Sequence, residues 1–257
     1  MKSIGIDVGT RFIKMCVVEQ EKLVANAIGK IGCDPRATIS RLLIEMSADI
    51  DDGSLSSPRI FSTGHGARLV QSAHKKINQN VCLAQAVHHA SPDIRTIIDV
   101  GGIFLNIIEI DGQGKIHASA DVEKCAMGSG RFVETVAQAL EIPFSQVSDC
   151  VVTATHPVSI SSGCSVFAES EVITKINAGA NPADILAGVL KSIAAKVGSM
   201  VKGAQCKDGL TLVGGLSQII AFRELLQLEV GKKFLILPVD PQLAGAFGAA
   251  LAAGELS

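Results

Sequence analysis

Residues 6–12 read Ile-Asp-Val-Gly-Thr-Arg-Phe, and residues 98–104 read Ile-Asp-Val-Gly-Gly-Ile-Phe. Both copies share the pattern Ile-Asp-Val-Gly-x-x-Phe, and apolar residues lie on both sides of each glycine. This pattern predicts two strands joined by a tight turn, once near the start of the chain and once at its middle. Two copies of one hairpin predict two halves built on the same plan.

The repeated hairpin has the chemistry of a phosphate-binding loop. Backbone N–H groups at its glycines can contact phosphate oxygens. An aspartate that ends the preceding strand, Asp7 or Asp99, can hold a hydrated Mg²⁺ through water. Two ordinary hairpins in a sheet protein are the alternative. Because the chain carries two copies, we favour a pair of hairpins that grip a nucleotide from both sides, with Lys14 neutralising a phosphate.

A third glycine-rich segment follows another predicted strand. Residues 209–213 read Gly-Leu-Thr-Leu-Val and precede Gly214 and Gly215. The backbone of a Gly-Gly pair can approach an adenosine closely because no side chain intervenes. Apolar residues then recur at helical spacing, which predicts a helix over 217–228.

Length and composition exclude several classes of protein. The chain has 257 residues, of which 47% are hydrophobic, and a mean hydropathy of +0.38, so it contains enough apolar material for a folded core. Its 23 Lys+Arg nearly balance its 25 Asp+Glu, and it has no Trp or Tyr, which disfavours nucleic-acid binding. Asp7 and Gly9 interrupt any candidate signal h-region, so we expect no signal peptide, and the most apolar stretch, 243–253, is too short to cross a bilayer. We therefore expect a cytoplasmic protein without a membrane or nucleic-acid partner.

The remaining segments predict a mixture of helices and strands. Residues 36–50 have the pattern of a helix, and 59–62 have that of a strand. Asn181 and Pro182 are typical of the cap and first position of a helix. The apolar residues that follow recur at every fourth position and predict one long helix with a buried stripe: Ile185, Val189, Ile193, Val197 and Val201.

With these motifs the chain resembles the actin, hexokinase and Hsp70 superfamily of ATPases. The resemblance rests on the two hairpins at 4–14 and 97–106, the Gly-Gly segment at 212–216 and a small-residue helix at 244–250. It implies an α/β protein with a two-lobed, actin-like (ribonuclease H-like) fold. The nucleotide-contacting residues that it implies are Gly9, Thr10, Lys14, Gly101, Gly102, Gly214 and Gly215, with Asp7 and Asp99 as the catalytic residues.

The same resemblance divides the chain. We expect residues 1–95 to form the first actin-like subdomain, completed by the C-terminal helix 241–257. Residues 96–240 are expected to form the second subdomain, which also contains the two cysteines discussed next.

Seven cysteines occur, none of them in a Cys-x-x-Cys pair, so we expect neither a disulfide framework nor a zinc finger. Cys125 and Cys164 each lie in a small-residue turn before a predicted helix, where exposed N–H groups and the helix dipole favour a thiolate. Packing cysteines near nucleotide loops are the alternative. We predict simple buried packing for the other five: Cys16, Cys33, Cys82, Cys150 and Cys206.

The two cysteine segments are similar to those of one ATPase family. Residues 124–132 read Lys-Cys-Ala-Met-Gly-Ser-Gly-Arg-Phe, and 162–171 read Ser-Gly-Cys-Ser-Val-Phe-Ala-Glu-Ser-Glu. Together with the hairpins and the final small-residue helix, they resemble the activators of 2-hydroxyacyl-CoA dehydratases and the ATPase subunits of benzoyl-CoA reductase. The resemblance covers nearly the whole chain.

This family resemblance implies a redox function. One [4Fe–4S] cluster is shared by a homodimer, and Cys125 and Cys164 from each chain supply its four thiolates. ATP hydrolysis is coupled to delivery of one low-potential electron to a client iron–sulfur enzyme. The client is a 2-hydroxyacyl-CoA dehydratase, a benzoyl-CoA reductase or a double-cubane-cluster reductase, and the electron donor is a ferredoxin or flavodoxin. The protein would be anaerobic and oxygen-sensitive.

The sequence departs from the family pattern in two places and leaves some roles open. Ile103 stands where the family usually has Gln, and the family's Thr-Gly-Tyr-Gly-Arg becomes Thr-Gly-His-Gly-Ala at 63–67. The acids Glu169 and Glu171 either reach the ribose or adenine or are solvated helix acids, and Arg131 either contacts nucleotide or caps a helix. We predict that His88 and His89 form a surface pair rather than a metal site.

Two other functions compete with the activator. One is a small-molecule kinase of the same superfamily, without a cluster; it needs an aspartate base in a sugar pocket, for which no motif is evident. The other is a non-redox scaffold of actin or chaperone type. Neither accounts for both Cys125 and Cys164.

Overall fold

A computed structural model describes residues 2–46, 58–122, 129–161, 164–204, 206 and 208–255. The chain divides into two compact units. Unit 1 contains residues 1–94, 110–118 and 237–257, and unit 2 contains residues 95–109 and 119–236. Each unit combines one mixed β-sheet with helices, so both belong to the α/β class.

Unit 1 is built on a sheet with the strand order β3-β2-β1-β4-β5. Strands β1 and β2 are antiparallel and almost entirely buried, and β4 lies parallel to β1 on its other side. The buried aliphatic residues of β1 and β2 form the centre of this core. The strands are β1 (Lys2–Val8), β2 (Phe12–Glu19), β3 (Lys22–Lys30), β4 (Arg59–Thr63) and β5 (Lys75–Lys76).

In the described residues of unit 1, three α-helices pack: α1 (Pro35–Glu45), α2 (Gln79–Ala90) and α8 (Ala244–Glu255). Asp34 caps the start of helix α1, and its carboxylate accepts the N–H groups of Arg36 and Ala37. The predicted helix over 36–50 is therefore confirmed up to residue 45, and residues 47–50 lie outside the described part of the chain.

Helix α8 approaches its neighbours unusually closely, because glycines lie at the contacts. A Cβ on Gly5 of β1 would overlap the backbone of Ala246 and Ala250. A Cβ on Gly248 of α8 would overlap the carbonyl oxygen of Cys82 in α2. The predicted small-residue helix is confirmed, and its composition follows from this backbone-to-backbone packing.

We expect Gly248→Ala to lower the free energy of unfolding by roughly 3 kcal/mol, because the added methyl group forces α8 and α2 apart. Chemical denaturation measures this change. The matched control is Gly203→Ala, since Gly203 lies exposed at the end of another helix, where an added methyl group would meet no atom within 4 Å. That variant should change stability by less than about 1 kcal/mol. Equal unfolding free energies for the two variants would contradict the close packing of α8.

Unit 2 repeats the same strand plan. Its sheet has the order β8-β7-β6-β9, with β6 and β7 antiparallel and β9 parallel to β6. An isolated parallel bridge joins Leu210 to Phe234 at the position that β5 occupies in unit 1. The strands are β6 (Thr96–Val100), β7 (Leu105–Ile110), β8 (Ile116–Val122) and β9 (Leu210–Val213). The duplication predicted from two hairpins thus extends to the whole sheet.

The helices of unit 2 pack around one large aliphatic core. The long predicted helix is confirmed as α6, and the Asn181 side chain caps it by accepting the N–H of Ala183. The helix predicted over 217–228 begins later, because residues 215–218 form a 3₁₀ turn and the α-helix starts at Ile220. The helices are α3 (Gly130–Ala139), α4 (Val147–Val152), α5 (Ser165–Asn177), α6 (Pro182–Gly203) and α7 (Ile220–Val230).

Candidate functional site

The first hairpin places a buried aspartate beside a lysine. The N–H of Gly9 donates to the carbonyl of Phe12 at 3.1 Å, which closes the turn between β1 and β2. Asp7 and Lys14 face each other across the two strands, and the Lys14 Nζ lies 2.8 Å from Asp7 Oδ2. Thr10 is half-buried in the same turn. This end of the sheet therefore combines a tight glycine turn, one carboxylate and one cation.

The second hairpin has the same geometry with one change of charge. The N–H of Gly101 donates to the carbonyl of Phe104 at 2.9 Å, as in the first turn. Asp99 is buried at the end of β6, but its cross-strand partner is Asn106. The second hairpin therefore has a neutral side chain at the position where the first has a lysine.

A glycine with positive φ follows the parallel strand of each unit, although the sequence around it is not repeated. Gly64 follows β4 with φ +84°, and Gly214 follows β9 with φ +88°. A Cβ on Gly64 would overlap Asp7 Oδ1, and one on Gly214 would lie 2.6 Å from Asp99 Oδ1. Both positions require glycine, because the backbone has a positive φ there. In addition, Asp7 or Asp99 occupies the space that a Cβ would need. The predicted Gly214–Gly215 segment thus has a counterpart at Gly64.

The Asp7 carboxylate has one unused oxygen. Its Oδ2 pairs with Lys14, whereas Oδ1 is buried and accepts no hydrogen bond from the residues that the structure describes. An unpaired buried acceptor costs about 1–3 kcal/mol, so a carboxylate in this state is suited to a bound cation or its water. The residues at this strand end therefore fit a hydrated Mg²⁺.

Helix α3 begins directly on the second hairpin. The N–H of Gly130 donates to the carbonyl of Gly101 at 3.0 Å, and the N–H of Arg131 donates to that of Gly102 at 2.9 Å. These are first-turn N–H groups of α3, which have no partner within the helix. The Arg131 side chain is exposed. Two backbone hydrogen bonds therefore join the second hairpin to the start of α3.

The two candidate ligand cysteines precede α3 and α5. Cys125 lies outside the described residues, in the segment 123–128 that leads into α3. Cys164 is exposed and caps α5 with an extended backbone. The next two apolar residues, Val166 and Phe167, are 67% and 68% exposed. Cys164 thus lies beside two exposed apolar side chains.

The other cysteines differ in burial, and one prediction about them is wrong. Cys16 and Cys82 are buried, and burial raises the pKa of both thiols, to about 12 for Cys82. Burial also raises the pKa of Cys150, which is half-buried, and of Cys206, which is buried. Cys33 is exposed rather than buried, because it lies in the loop between β3 and α1. Packing therefore accounts for Cys16, Cys82 and Cys206.

Sequence reasoning did not identify the segment 154–161, here called the strap, which leads towards Cys164. The buried Asp184 accepts the N–H groups of Thr155 and His156 at 2.8 and 2.7 Å. At the other end of the strap, the Glu171 carboxylate accepts the N–H and hydroxyl of Ser161 at 3.1–3.3 Å. Asp184 resembles any first-turn helix acid in the sequence, so no signal distinguished it.

The two glutamates of α5 differ in their surroundings. Glu169 is exposed on α5. Glu171 holds the strap rather than projecting freely into solvent. Residues 162 and 163, which lie between the strap and Cys164, belong to the part of the chain that the structure does not describe.

The described ranges contain neither a clustered metal site nor a membrane-spanning helix. Within them, no group of three or more His, Cys, Asp or Glu side chains is arranged to hold a metal ion. No helix in the same ranges is long and apolar enough to cross a membrane.

Residues 4–253 match the sequence profile described as the BadF/BadG/BcrA/BcrD ATPase family. The chain belongs to this ATPase family. Among family relatives, the 2-hydroxyisocaproyl-CoA dehydratase activator of Clostridioides difficile is 32% identical over 98% of this chain and 94% of its own length. The (R)-2-hydroxyglutaryl-CoA dehydratase activating ATPase of Acidaminococcus fermentans is 30% identical over 97% and 95%. The family resemblance predicted from the cysteine segments is confirmed.

A solved structure of the family has the same fold. The activator of the 2-hydroxyisocaproyl-CoA dehydratase from Clostridium difficile, with bound ADPNP, has a TM-score of 0.90 and 31% identity. The comparison covers 100% of this chain and 95% of that one. The predicted actin-like α/β fold is therefore confirmed.

Proposed function

We propose that this protein is an ATP-dependent activator that transfers a low-potential electron to a client iron–sulfur enzyme. Membership of an ATPase family and the names of its relatives, which are dehydratase activators, support this function. The client is a 2-hydroxyacyl-CoA dehydratase, a benzoyl-CoA reductase or a double-cubane-cluster reductase, and a ferredoxin or flavodoxin supplies the electron.

Nucleotide binding is assigned to the duplicated strand ends. The turns at Gly9 and Thr10 and at Gly101 and Gly102 contact phosphate oxygens, whereas the N–H groups of Gly9 and Gly101 themselves close the turns. Gly214 and Gly215 allow the adenosine to approach the backbone. Lys14 already lies close to the first turn, with its Nζ 2.8 Å from Asp7. It can exchange this carboxylate for a phosphate without moving far. Glu169, exposed on α5, is the proposed contact to the ribose or adenine.

Mg²⁺ is assigned to Asp7 and Asp99, which hold it through water. The unpartnered Oδ1 of Asp7 supports this role, as does the glycine that lies against each aspartate. When bound, Mg²⁺ supplies positive charge that stabilises the developing negative charge on the phosphates. Each carboxylate is buried at the end of the first strand of its own unit.

The contact between the second hairpin and α3 carries the proposal. Nucleotide exchange at Gly101 and Gly102 changes the hairpin, and the carbonyls of both residues accept the first N–H groups of α3. Because α3 directly follows the Cys125 segment, these hydrogen bonds connect the phosphate-binding backbone to a cluster ligand over a few residues. This is a short physical route for a nucleotide-driven switch.

The cluster is assigned to Cys125 and Cys164. A cubane cluster takes four thiolates, so two chains related by a two-fold axis each supply two. The exposed Val166 and Phe167 beside Cys164 support an isologous contact at that position. When bound, the cluster supplies a one-electron redox centre. Asp184 and Glu171 hold the strap before Cys164 and so restrict where that thiolate can lie.

A coupled activator should hydrolyse ATP slowly on its own, because free turnover would consume ATP without moving an electron. We expect kcat of the isolated, oxygen-free protein to lie well below about 10 s⁻¹, the median for enzymes, and to rise when the client is added. A steady-state phosphate-release assay measures both values. Turnover at or above about 10 s⁻¹ without any client would contradict the switch.

A further inference from the structure

One buried acid of α6 holds several backbone groups of the strap. The Oδ1 atom of Asp184 accepts the N–H groups of Thr155 and His156 at 2.8 and 2.7 Å. The carbonyl of the same residue accepts the N–H of Val158 at 3.0 Å. Hydrogen bonds to a charged acceptor are stronger than those between neutral groups. The middle of the strap is therefore tied to the first turn of α6.

A glycine of α6 lets the strap come into direct backbone contact. Gly188 follows Asp184 by four positions, so both residues lie on the same face of the helix. A Cβ on Gly188 would lie 2.1 Å from the carbonyl oxygen of Val158. Any other residue at this position would push the strap away from the helix. The acid and the glycine together make one binding surface for the strap.

The stretch of α6 that carries this surface belongs to the core of unit 2. Residues 183–190 are all buried, and the apolar ones among them pack in the main aliphatic cluster. Core helices open only at free energies close to that of global unfolding. The strap is therefore attached to a part of the unit that moves little.

The other end of the strap leads to Cys164. Ser161 precedes Cys164 by three positions, and the Glu171 carboxylate accepts its N–H and hydroxyl at 3.1–3.3 Å. Glu171 lies two turns along the helix that Cys164 caps. The start of α5 is thus joined by short segments to a strap that α6 holds.

The start of α3 has a different support. Its first N–H groups donate to the carbonyls of Gly101 and Gly102 in the second hairpin. Among the described residues, the hydrogen bonds of the strap go instead to α4, α5 and α6. The segment with Cys125 therefore leads into a helix bonded to the hairpin, whereas Cys164 follows a strap bonded to the core.

We propose that Asp184 is a positioning residue for Cys164, because it anchors the strap to α6 and keeps this thiol in place while nucleotide acts on the second hairpin. One ligand cysteine then follows the nucleotide, and the other is a fixed reference. The potential of an iron–sulfur centre depends on its hydrogen bonds and solvent exposure, so a displacement on one side is enough to alter it. The role of Cys164 rests on the proposed function, but the anchoring does not.

Hydrogen exchange of the full-length protein, measured by mass spectrometry, tests the anchoring without nucleotide, with ADP and with a non-hydrolysable ATP analogue. We expect peptides that contain 155–158 to exchange within about 2-fold of one rate in all three states. Peptides at the start of α3 should change by at least about 5-fold. A strap that responds to nucleotide as strongly as α3 does would overturn the proposal.

Three variants locate the anchor. Asp184→Ala removes the acceptor of two N–H groups and should speed exchange in the strap at least about 10-fold. Gly188→Ala should do the same, because its methyl group displaces the strap. Asp184→Asn keeps an acceptor oxygen and should restore most of the protection.

Asp149→Ala is the matched control, since Asp149 is also a first-turn helix acid of unit 2 but is exposed. It should leave exchange in the strap unchanged. Equal exchange in Asp184→Ala and Asp149→Ala would refute the anchoring.

Iron release separates positioning from a purely structural role. In protein made without oxygen, a chelator should remove iron from Asp184→Ala at least about 10-fold faster than from the parent, as expected when the support of a metal ligand is lost. Asp184→Asn should stay near the parental rate. Parental iron release from Asp184→Ala, despite fast exchange in its strap, would overturn the positioning role. An iron-free parent would refute the proposed function instead, and the exchange comparison would still decide the anchoring.

Discussion

Replacing Asp7 by alanine is expected to lower Mg²⁺-dependent ATP hydrolysis at least about 100-fold, because the carboxylate that positions the metal is lost. Asp99→Ala should have a similar effect, since Asp99 occupies the same place at the end of β6. A steady-state assay with varied Mg²⁺ measures the change. The Asp7 variant also leaves Lys14 without its partner, so part of its effect could come from folding.

Asp7→Asn separates these causes, because it keeps the size of the side chain but removes its charge. We expect it to lose hydrolysis as Asp7→Ala does, while thermal unfolding shows a folded protein. Asp93→Asn is the matched control, since Asp93 is exposed and lies in the loop before β6, outside the turns of both hairpins. Parental turnover by both Asp7→Asn and Asp99→Ala would refute the assignment of Mg²⁺ to these residues.

Cys164→Ala should abolish the bound iron of protein made without oxygen. Each chain supplies two of the four thiolates, so losing one from each chain leaves half of the ligand set. Iron should amount to roughly four atoms per dimer in the parent and approach background in the variant. Cys125→Ala should behave in the same way. Because the cluster joins the subunits, both variants should also dissociate more readily, as measured by sedimentation.

Cys33→Ala provides the matched control, because Cys33 is also exposed but lies in the loop before α1. It should keep its iron and its dimer. Cys16, Cys82, Cys150 and Cys206 should likewise tolerate alanine apart from packing losses. A colourless, iron-free parent protein, expressed strictly without oxygen and with ample iron, would contradict the proposed cluster. Iron retained in Cys164→Ala would remove that residue from the ligand set.

Much of the fold could be predicted because its decisive signals are local. The Ile-Asp-Val-Gly-x-x-Phe repeat determines two hairpins, and the cross-strand register then brings Lys14 to Asp7 without further information. The Asn181 cap and the apolar stripe of α6 are equally local. The small-residue pattern at 244–250 likewise marked a helix that packs closely against its neighbours.

Other features depend on contacts between distant segments, so the sequence did not reveal them. Gly64 and Gly214 are equivalent only through the parallel pairing of β4 and β9 with their neighbours. The role of Asp184 depends on a strap about 30 positions earlier in the chain. Cys33 was predicted to be buried, but it is exposed because it lies in a loop. The predicted helix start at residue 217 was wrong, because a 3₁₀ turn precedes α7.

The close packing of α8 also has a consequence for biosynthesis. Ser3 and Gly5 of β1 contact α8, with the Ser3 hydroxyl 2.8 Å from the Ala250 carbonyl. On a ribosome that adds 5–20 residues per second, β1 precedes α8 by roughly 12 to 48 s. All residues of unit 2 are made within that interval. Unit 2 can therefore fold while unit 1 still exposes the face of its sheet that α8 will cover.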